Sequence, residues 1–146
     1  MAKNREQDID QLNSFLRGEL AAVKTYDQAL AKLGDEAGIN DTLLSCRSSH
    51  QQRAQVLREE ISRLGGKPAD DAGAWGSFAQ LVEGGAKAFG KKSAIAALEE
   101  GEDHGRDEYQ EDLEELSPPV REMVRSQLLP EQLRTHDALS TLKHQI

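Results

Sequence analysis

The sequence predicts an all-α protein, a four-helix bundle made of two helical hairpins. Three observations carry that expectation. The 146 residues are rich in Ala, Leu, Glu, Gln and Arg and only 4% are aromatic, a mix that favours long helices over sheet. Apolar residues recur three and four apart over long stretches, which is the period of one helix face. A short motif also occurs twice: Gly18-Glu19 with Tyr26 seven residues on, and Gly101-Glu102 with Tyr109 seven residues on. Each copy is followed by a hydroxyl residue and a histidine, Ser49-His50 and Thr135-His136. A repeat of this kind fits two related hairpins that face each other.

The first helix is expected over residues 5–33, where Ile9, Leu12, Leu16, Glu19, Val23, Tyr26, Leu30 and Leu33 form one stripe. Glu19 stands in that stripe where a Leu belongs. Gly34 to Gly38 break the pattern, and a second helix follows over 39–64 with Leu43, Cys46, His50, Leu57, Ile61 and Leu64 on its seam. Gly65-Gly66 and Pro68 end it. A third helix is expected over 92–116, with Ser93 as N-cap and Ile95, Leu98, Glu102, Tyr109, Leu113 and Leu116 facing inward. Ser117-Pro118-Pro119 stops it and starts a fourth over 118–144. The apolar side of that helix is Val120, Val124, Leu128, Leu129, Leu133, Leu139 and Leu142. Pro130 lies within it and should kink it.

Residues 65–91 differ from the rest and hold seven of the twelve glycines. Trp75, Phe78, Val82 and Phe89 recur there at near-helical spacing, which predicts a short helix in a long connection. A connection of that length can run from one end of a bundle about 35–40 Å tall to the other. Two antiparallel hairpins joined by one long crossover make the ferritin-like arrangement, and the whole chain reads as one domain, residues 1–146. The aromatic stripe of the crossover covers the bundle or forms a homodimer interface.

Charge and composition narrow the partners. A net charge of −8 with no Lys/Arg stripe argues against nucleic acid. No apolar run is long enough to span a membrane, and residues 1–8 carry no apolar signal region. Cys46 is the single cysteine, which rules out an internal disulfide and fits a reducing compartment, so a cytoplasmic setting is expected.

The polar residues on the inner faces are the candidate site. In helical carboxylate metal proteins two helices each give a Glu and the other two each give a Glu-x-x-His pair. Glu19, His50, Glu102 and His136 fall one per helix in a compatible order, and two carboxylates with two imidazoles suit iron, manganese or zinc. The residue three before His50 is Arg47 and the residue three before His136 is Leu133, so the bridging carboxylates are missing. Gln132 and Cys46, each four before a His, are neutral or sulfur substitutes. The other reading needs no metal: Arg53, one turn after His50, completes an Arg–carboxylate–His–Tyr network with Tyr26 and Tyr109. Cys46 is expected in the core, and His104 and His144 on the surface.

The segments Arg17 to Tyr26, Ser49-His50, Leu64 to Pro68, Gly73 to Gly76 and Gly101-Glu102 with Tyr109 resemble an uncharacterised bacterial family of ferritin-like four-helix bundles, classed as a domain of unknown function. The resemblance implies the fold and a relation to rubrerythrin- and ferritin-type proteins at the level of the fold. Three functions stay open: a non-enzymatic bundle with a vestigial or mononuclear metal site, linked to stress or metal handling, which is the leading expectation; a diiron or dimanganese oxidase or peroxidase; and a dimeric scaffold.

Overall fold

The computed structural model describes residues 2–33, 37–71 and 90–146; the regular structure among them is helical, with no strand. Helix α1 spans Ala2–Leu33, α2 spans Ala37–Arg63 and α3 spans Lys91–Asp112. A single 3-10 turn, Leu113–Glu115, closes α3. The fourth helical rod comes in three pieces: α4 (Pro118–Met123), a π-helical turn (Val124–Leu128) and α5 (Leu129–Gln145). Trp75, Phe78, Val82 and Phe89, with the short helix expected around them, lie outside the described residues.

The packing follows from which apolar residues meet. At one end Leu12, Phe15 and Leu16 of α1 pack with Leu57 and Ile61 of α2, Tyr109 of α3, and Val120, Val124 and Leu128. At the other end Tyr26 and Ala29 of α1 pack with Ile39, Leu43 and Cys46 of α2, Ala94, Ile95 and Leu98 of α3, and Leu139 and Leu142 of α5. Each full burial of a Leu or Ile contributes about 1.5–3 kcal/mol, so the two clusters hold the rods together from their ends. These pairings make α1 antiparallel to α2 and α3 antiparallel to α5. Helices α2 and α3 run parallel, both starting at the Leu43/Ile95 end. Between the clusters the buried residues turn polar: Glu19, His50, Arg53, Glu102, Gln132 and Thr135.

The corners are built from polar contacts. Gly65, at φ 87, ends α2 with its N–H on the Ser62 carbonyl, while Gly66 N–H reaches the Ile61 carbonyl. This pair of bonds is the Schellman closure, which needs a left-handed residue. Asn13 of α1 grips the chain beyond it, donating to the Lys67 carbonyl at 3.0 Å and accepting from the Ala69 N–H at 2.7 Å. Buried Asp8 accepts the Ser117 N–H at 3.0 Å and ties the start of α4 to α1. Arg121 donates to the Leu113, Glu114 and Leu116 carbonyls, just beyond the end of α3.

Two local expectations are corrected. The N-cap of α3 is Gly90, at φ 86, and Ser93 lies inside the helix, because the helix starts at Lys91, ahead of the apolar pattern that begins at Ile95. Pro130 has no N–H to give the preceding turn, and the chain adapts with the π-helical turn, in which the Leu129 N–H bonds the Val124 carbonyl. The wider turn rotates the face that α5 presents to the core. Leu133, expected on the apolar side, is 39% exposed, while Gln132 and Thr135 are buried.

The Schellman closure gives a direct test. Gly65→Ala places a Cβ in a left-handed conformation and should destabilise the fold by about 1–2 kcal/mol in urea unfolding. Gly38→Ala, near the start of α2 with nothing within 4 Å of the added carbon, should be neutral or slightly stabilising. Equal effects at both positions would show that the closure is not under conformational demand.

Candidate functional site

The centre of the bundle is a charged quartet: Glu19 from α1, His50 and Arg53 from α2, and Glu102 from α3. An isolated buried charge costs several kcal/mol, so each must find partners. His50 supplies most of the wiring. Its Nδ1 lies 2.8 Å from Glu19 Oε1 and its Nε2 lies 2.6 Å from Glu102 Oε1. With a carboxylate at each ring nitrogen, the imidazole sits as a doubly protonated cation donating both ways. Burial pushes its pKa down, but Glu102 and Glu19 outweigh burial and the opposing Arg53, and the net shift is upward. Arg53, one turn on, has its Nε 3.2 Å from Glu19 Oε2, donates to the Gln132 carbonyl oxygen Oε1, and donates to Thr135 Oγ1 at 3.1 Å.

Glu102 is the best-served member. Besides His50 it accepts from Tyr26 Oη at 2.6 Å, Gln132 Nε2 at 2.8 Å and Thr135 Oγ1 at 2.8 Å. Burial alone would raise its pKa, yet His50, Arg53 and Tyr26 bring it down to about 2. Gln132 also donates to the Glu102 backbone carbonyl at 2.8 Å. That approach requires Gly105: a Cβ there would stand 2.8 Å from Gln132 Nε2. Tyr26 is held well above its ordinary pKa by burial and then by Glu102, so it stays a phenol and a donor.

Tyr109 stands toward Glu19 as Tyr26 stands toward Glu102, so each tyrosine serves the carboxylate of the other hairpin. The second pair is less complete. Burial and the nearness of Glu19 raise the Tyr109 pKa well above its ordinary value. Even so, neither the Tyr109 hydroxyl nor Glu19 Oε2 makes a well-aligned hydrogen bond. Beside them lies a cavity of about 40 Å³ between α1 and α3, bordered by Gly18, Glu19, Gly101, Glu102 and Tyr109. Glu108 also borders it and accepts from Ser14 Oγ at 2.8 Å. Burial raises the Glu108 carboxyl to about 7 against the Ser14 bond, with Asp112 and Glu19 adding to the rise.

Of the residues expected at the site, the structure brings together Glu19, His50 and Glu102, with Tyr26, Arg53 and Tyr109 around them. His136 is set apart: it pairs with Asp103 on the outer side of α3 and keeps 18% of its side chain exposed. In the first copy of the repeat Ser49 and His50 are both buried; in the second Thr135 is buried and His136 turns outward. Thr135 and Gln132 take the place expected for His136. The signal for them was the dyad Thr135-His136 read one residue over, together with Gln132 four before the histidine. Cys46 is buried, with its thiol pushed by burial up to about 12, and His104 and His144 are exposed.

The arrangement does not fit a metal as it stands. Both His50 nitrogens are spent on carboxylates, and Arg53 occupies the far side of Glu19. Among the same residues no group of three or more His, Cys, Asp or Glu side chains is placed to hold a metal ion. No helix there is long and apolar enough to cross a membrane.

Fold and site together define a class: an all-helical four-helix protein with a buried, self-paired charge cluster at mid-height. The chain belongs to a family described as Domain of unknown function (DUF2383), whose pattern matches residues 7–115. That span takes in all four members of the quartet and both tyrosines, and it ends before α4. No curated protein and no solved structure matches the chain.

The closure of the network can be tested by removing one charge. Glu102→Leu leaves His50 and Arg53 buried with one carboxylate between them and should cost about 3–5 kcal/mol in urea unfolding. A variant as stable as wild type would mean that the cluster is hydrated and not a closed network. The second test is pH. The folded state holds the Glu108 proton more tightly than the unfolded chain, whose carboxyl titrates near 4.5. Its stabilising contribution is complete below that value and is lost as pH rises through about 7. Stability should therefore fall further between these pH values in wild type than in Glu108→Gln, and parallel pH profiles would contradict the raised pKa.

Proposed function

We propose that the chain is a non-enzymatic, ferritin-like helical bundle whose mid-height charge cluster is a metal-independent structural core. One observation carries this reading: His50 presents each ring nitrogen to a carboxylate, at 2.8 and 2.6 Å, and so has no lone pair to offer a metal. The charges also close. Glu19 and Glu102 carry two negative charges, and His50 and Arg53 carry two positive ones. Such a cluster adds little net stability, but it fixes which helix faces meet and at what height. The ferritin-like order is supported by the helix directions. Helix α2 ends where α1 begins and α3 starts at the opposite end, the placement that a long crossover would need.

A dinuclear oxidase or peroxidase is the competing reading, and what favours it is the convergence of Glu19, His50 and Glu102 at one height. It would need His50 to give up one ring proton and turn that nitrogen from its carboxylate to the ion, and a divalent ion to settle beside Arg53.

Elemental analysis of protein purified without a His tag or chelator, followed by titration with Fe(II), Mn(II) and Zn(II), separates the two. The expected outcome is well under one metal per chain and no saturable heat. Two metals per chain, lost in Glu102→Gln, would overturn the structural reading in favour of the enzyme.

A further inference from the structure

A groove of about 290 Å³ runs between α1 and α2, and no member of the quartet borders it. Leu20, Val23 and the buried Ala54 give it an apolar floor, and Lys24 and Arg58 rise from its sides. Asp27 also borders it but is spent on Arg47. Glu59, next to Arg58 in the chain, accepts from Gln55 at 3.1 Å. Among the described residues neither Lys24 nor Arg58 has an acidic partner. The second hairpin is different: Arg106, Arg121, Arg125 and Arg134 each pair with a carboxylate. In a chain of net charge −8, acids are in excess, yet these two cations on one groove are left unanswered.

We propose that this groove is a binding site for a small dicarboxylate of four or five carbons, held with one carboxylate at Lys24 and the other at Arg58. The height of each cation follows from the Arg47–Asp27 pair. Lys24 lies three residues from Asp27 and Arg58 eleven from Arg47, both toward the end where α1 starts and α2 finishes. At ~1.5 Å per residue the two are therefore roughly 12 Å apart along the antiparallel helices. A helical side chain leans toward the start of its own helix, so Lys24 leans toward Leu20 and Arg58 toward Ala54. The two heads thus approach each other over the apolar floor without meeting at one point. An extended dianion answers each cation where it stands, its methylenes lie on Leu20, Val23 and Ala54, and the Gln51 amide on the rim is free to bond a carboxylate oxygen. A monoanion leaves one cation open, and a single phosphate would have to draw both side chains to one place. The volume is close to the roughly 300 Å³ at which small-molecule sites begin. Half-exposed ion pairs are individually weak, so occupancy needs both ends.

The experiment is a titration of ¹⁵N-labelled full-length protein with succinate and glutarate at constant ionic strength, with butyrate and inorganic phosphate as controls. Saturable shifts should appear at the amides of Lys24, Gln51 and Ala54 with either dicarboxylate. Butyrate and phosphate should bind at least ten-fold more weakly. Lys24→Gln and Arg58→Gln should each weaken dicarboxylate binding at least five-fold, with the helical signal unchanged. Arg58→Lys keeps the charge and should restore binding to within about three-fold of wild type, which separates a role in binding from one in packing. Lys92→Gln removes the same charge from an exposed position at the start of α3 and should leave binding as it is. Linear, non-saturating shifts with both dicarboxylates would overturn the proposal. So would equal binding of butyrate or phosphate, or a loss in Lys92→Gln as large as in Lys24→Gln, which would show attraction by net charge alone. None of these outcomes depends on the metal content of the centre.

Discussion

His50 bridging Glu19 and Glu102 is the contact on which the rest of the molecule depends. It joins three helices through one ring, and the joint sits where packing alone would prefer a leucine. Burying four charges between two apolar clusters is worthwhile only if every lone pair and proton is answered, because the desolvation cost is of the same order as the attraction. The surrounding residues read as answers to that demand. Arg53 neutralises Glu19 on its far side and reaches across to Gln132 and Thr135 of α5. Gln132 can approach because Gly105 has no side chain. Tyr26 crosses from one hairpin to the carboxylate of the other. A slip of any helix by one turn would leave at least one of these charges unpaired, so the cluster sets the relative heights of the rods.

The repeat in the sequence is only half a symmetry in the structure. Glu102 receives His50, Tyr26, Gln132 and Thr135, while Glu19 is left with His50 and the side-on contact of Arg53. The difference traces to the second half of each hairpin. The first contributes His50 and Arg53, both charged, and the second contributes Thr135 and Gln132, both neutral. Neutral donors there crowd around Glu102.

How much could be read from the sequence depends on how each signal is encoded. Helices α1, α2 and α3 were legible because their apolar residues keep one phase from end to end. The displaced Glu19 and Glu102 stood out because a carboxylate in an apolar stripe has no benign explanation. Arg53 was legible as a partner for the same reason. The fourth rod was not, because phase is lost in it: Pro130 announces an interruption, but nothing local says that the chain will widen to a π turn. That turn rotates Leu133 out and Thr135 in, and carries His136 to Asp103. Gln132 and Thr135 carry no charge, so nothing in the sequence required them to be buried until the carboxylate they serve was in place.

The same residue types can serve as metal ligands or as ion pairs, and the distinction lies in charge balance more than in identity. In helical carboxylate metal sites each Glu-x-x-His pair brings an anion along with its imidazole, and these carboxylates offset the ions. Here the position three before His50 holds Arg47, and the corresponding position before His136 holds Leu133. The further charged residue that does enter the centre is Arg53, a cation. A divalent ion placed between Glu19 and Glu102 would meet one guanidinium and displace one proton of His50, leaving the centre with one uncompensated positive charge in a region of low dielectric. Substituting an arginine for the expected carboxylates thus converts a constellation that would attract a cation into one that has already supplied its own.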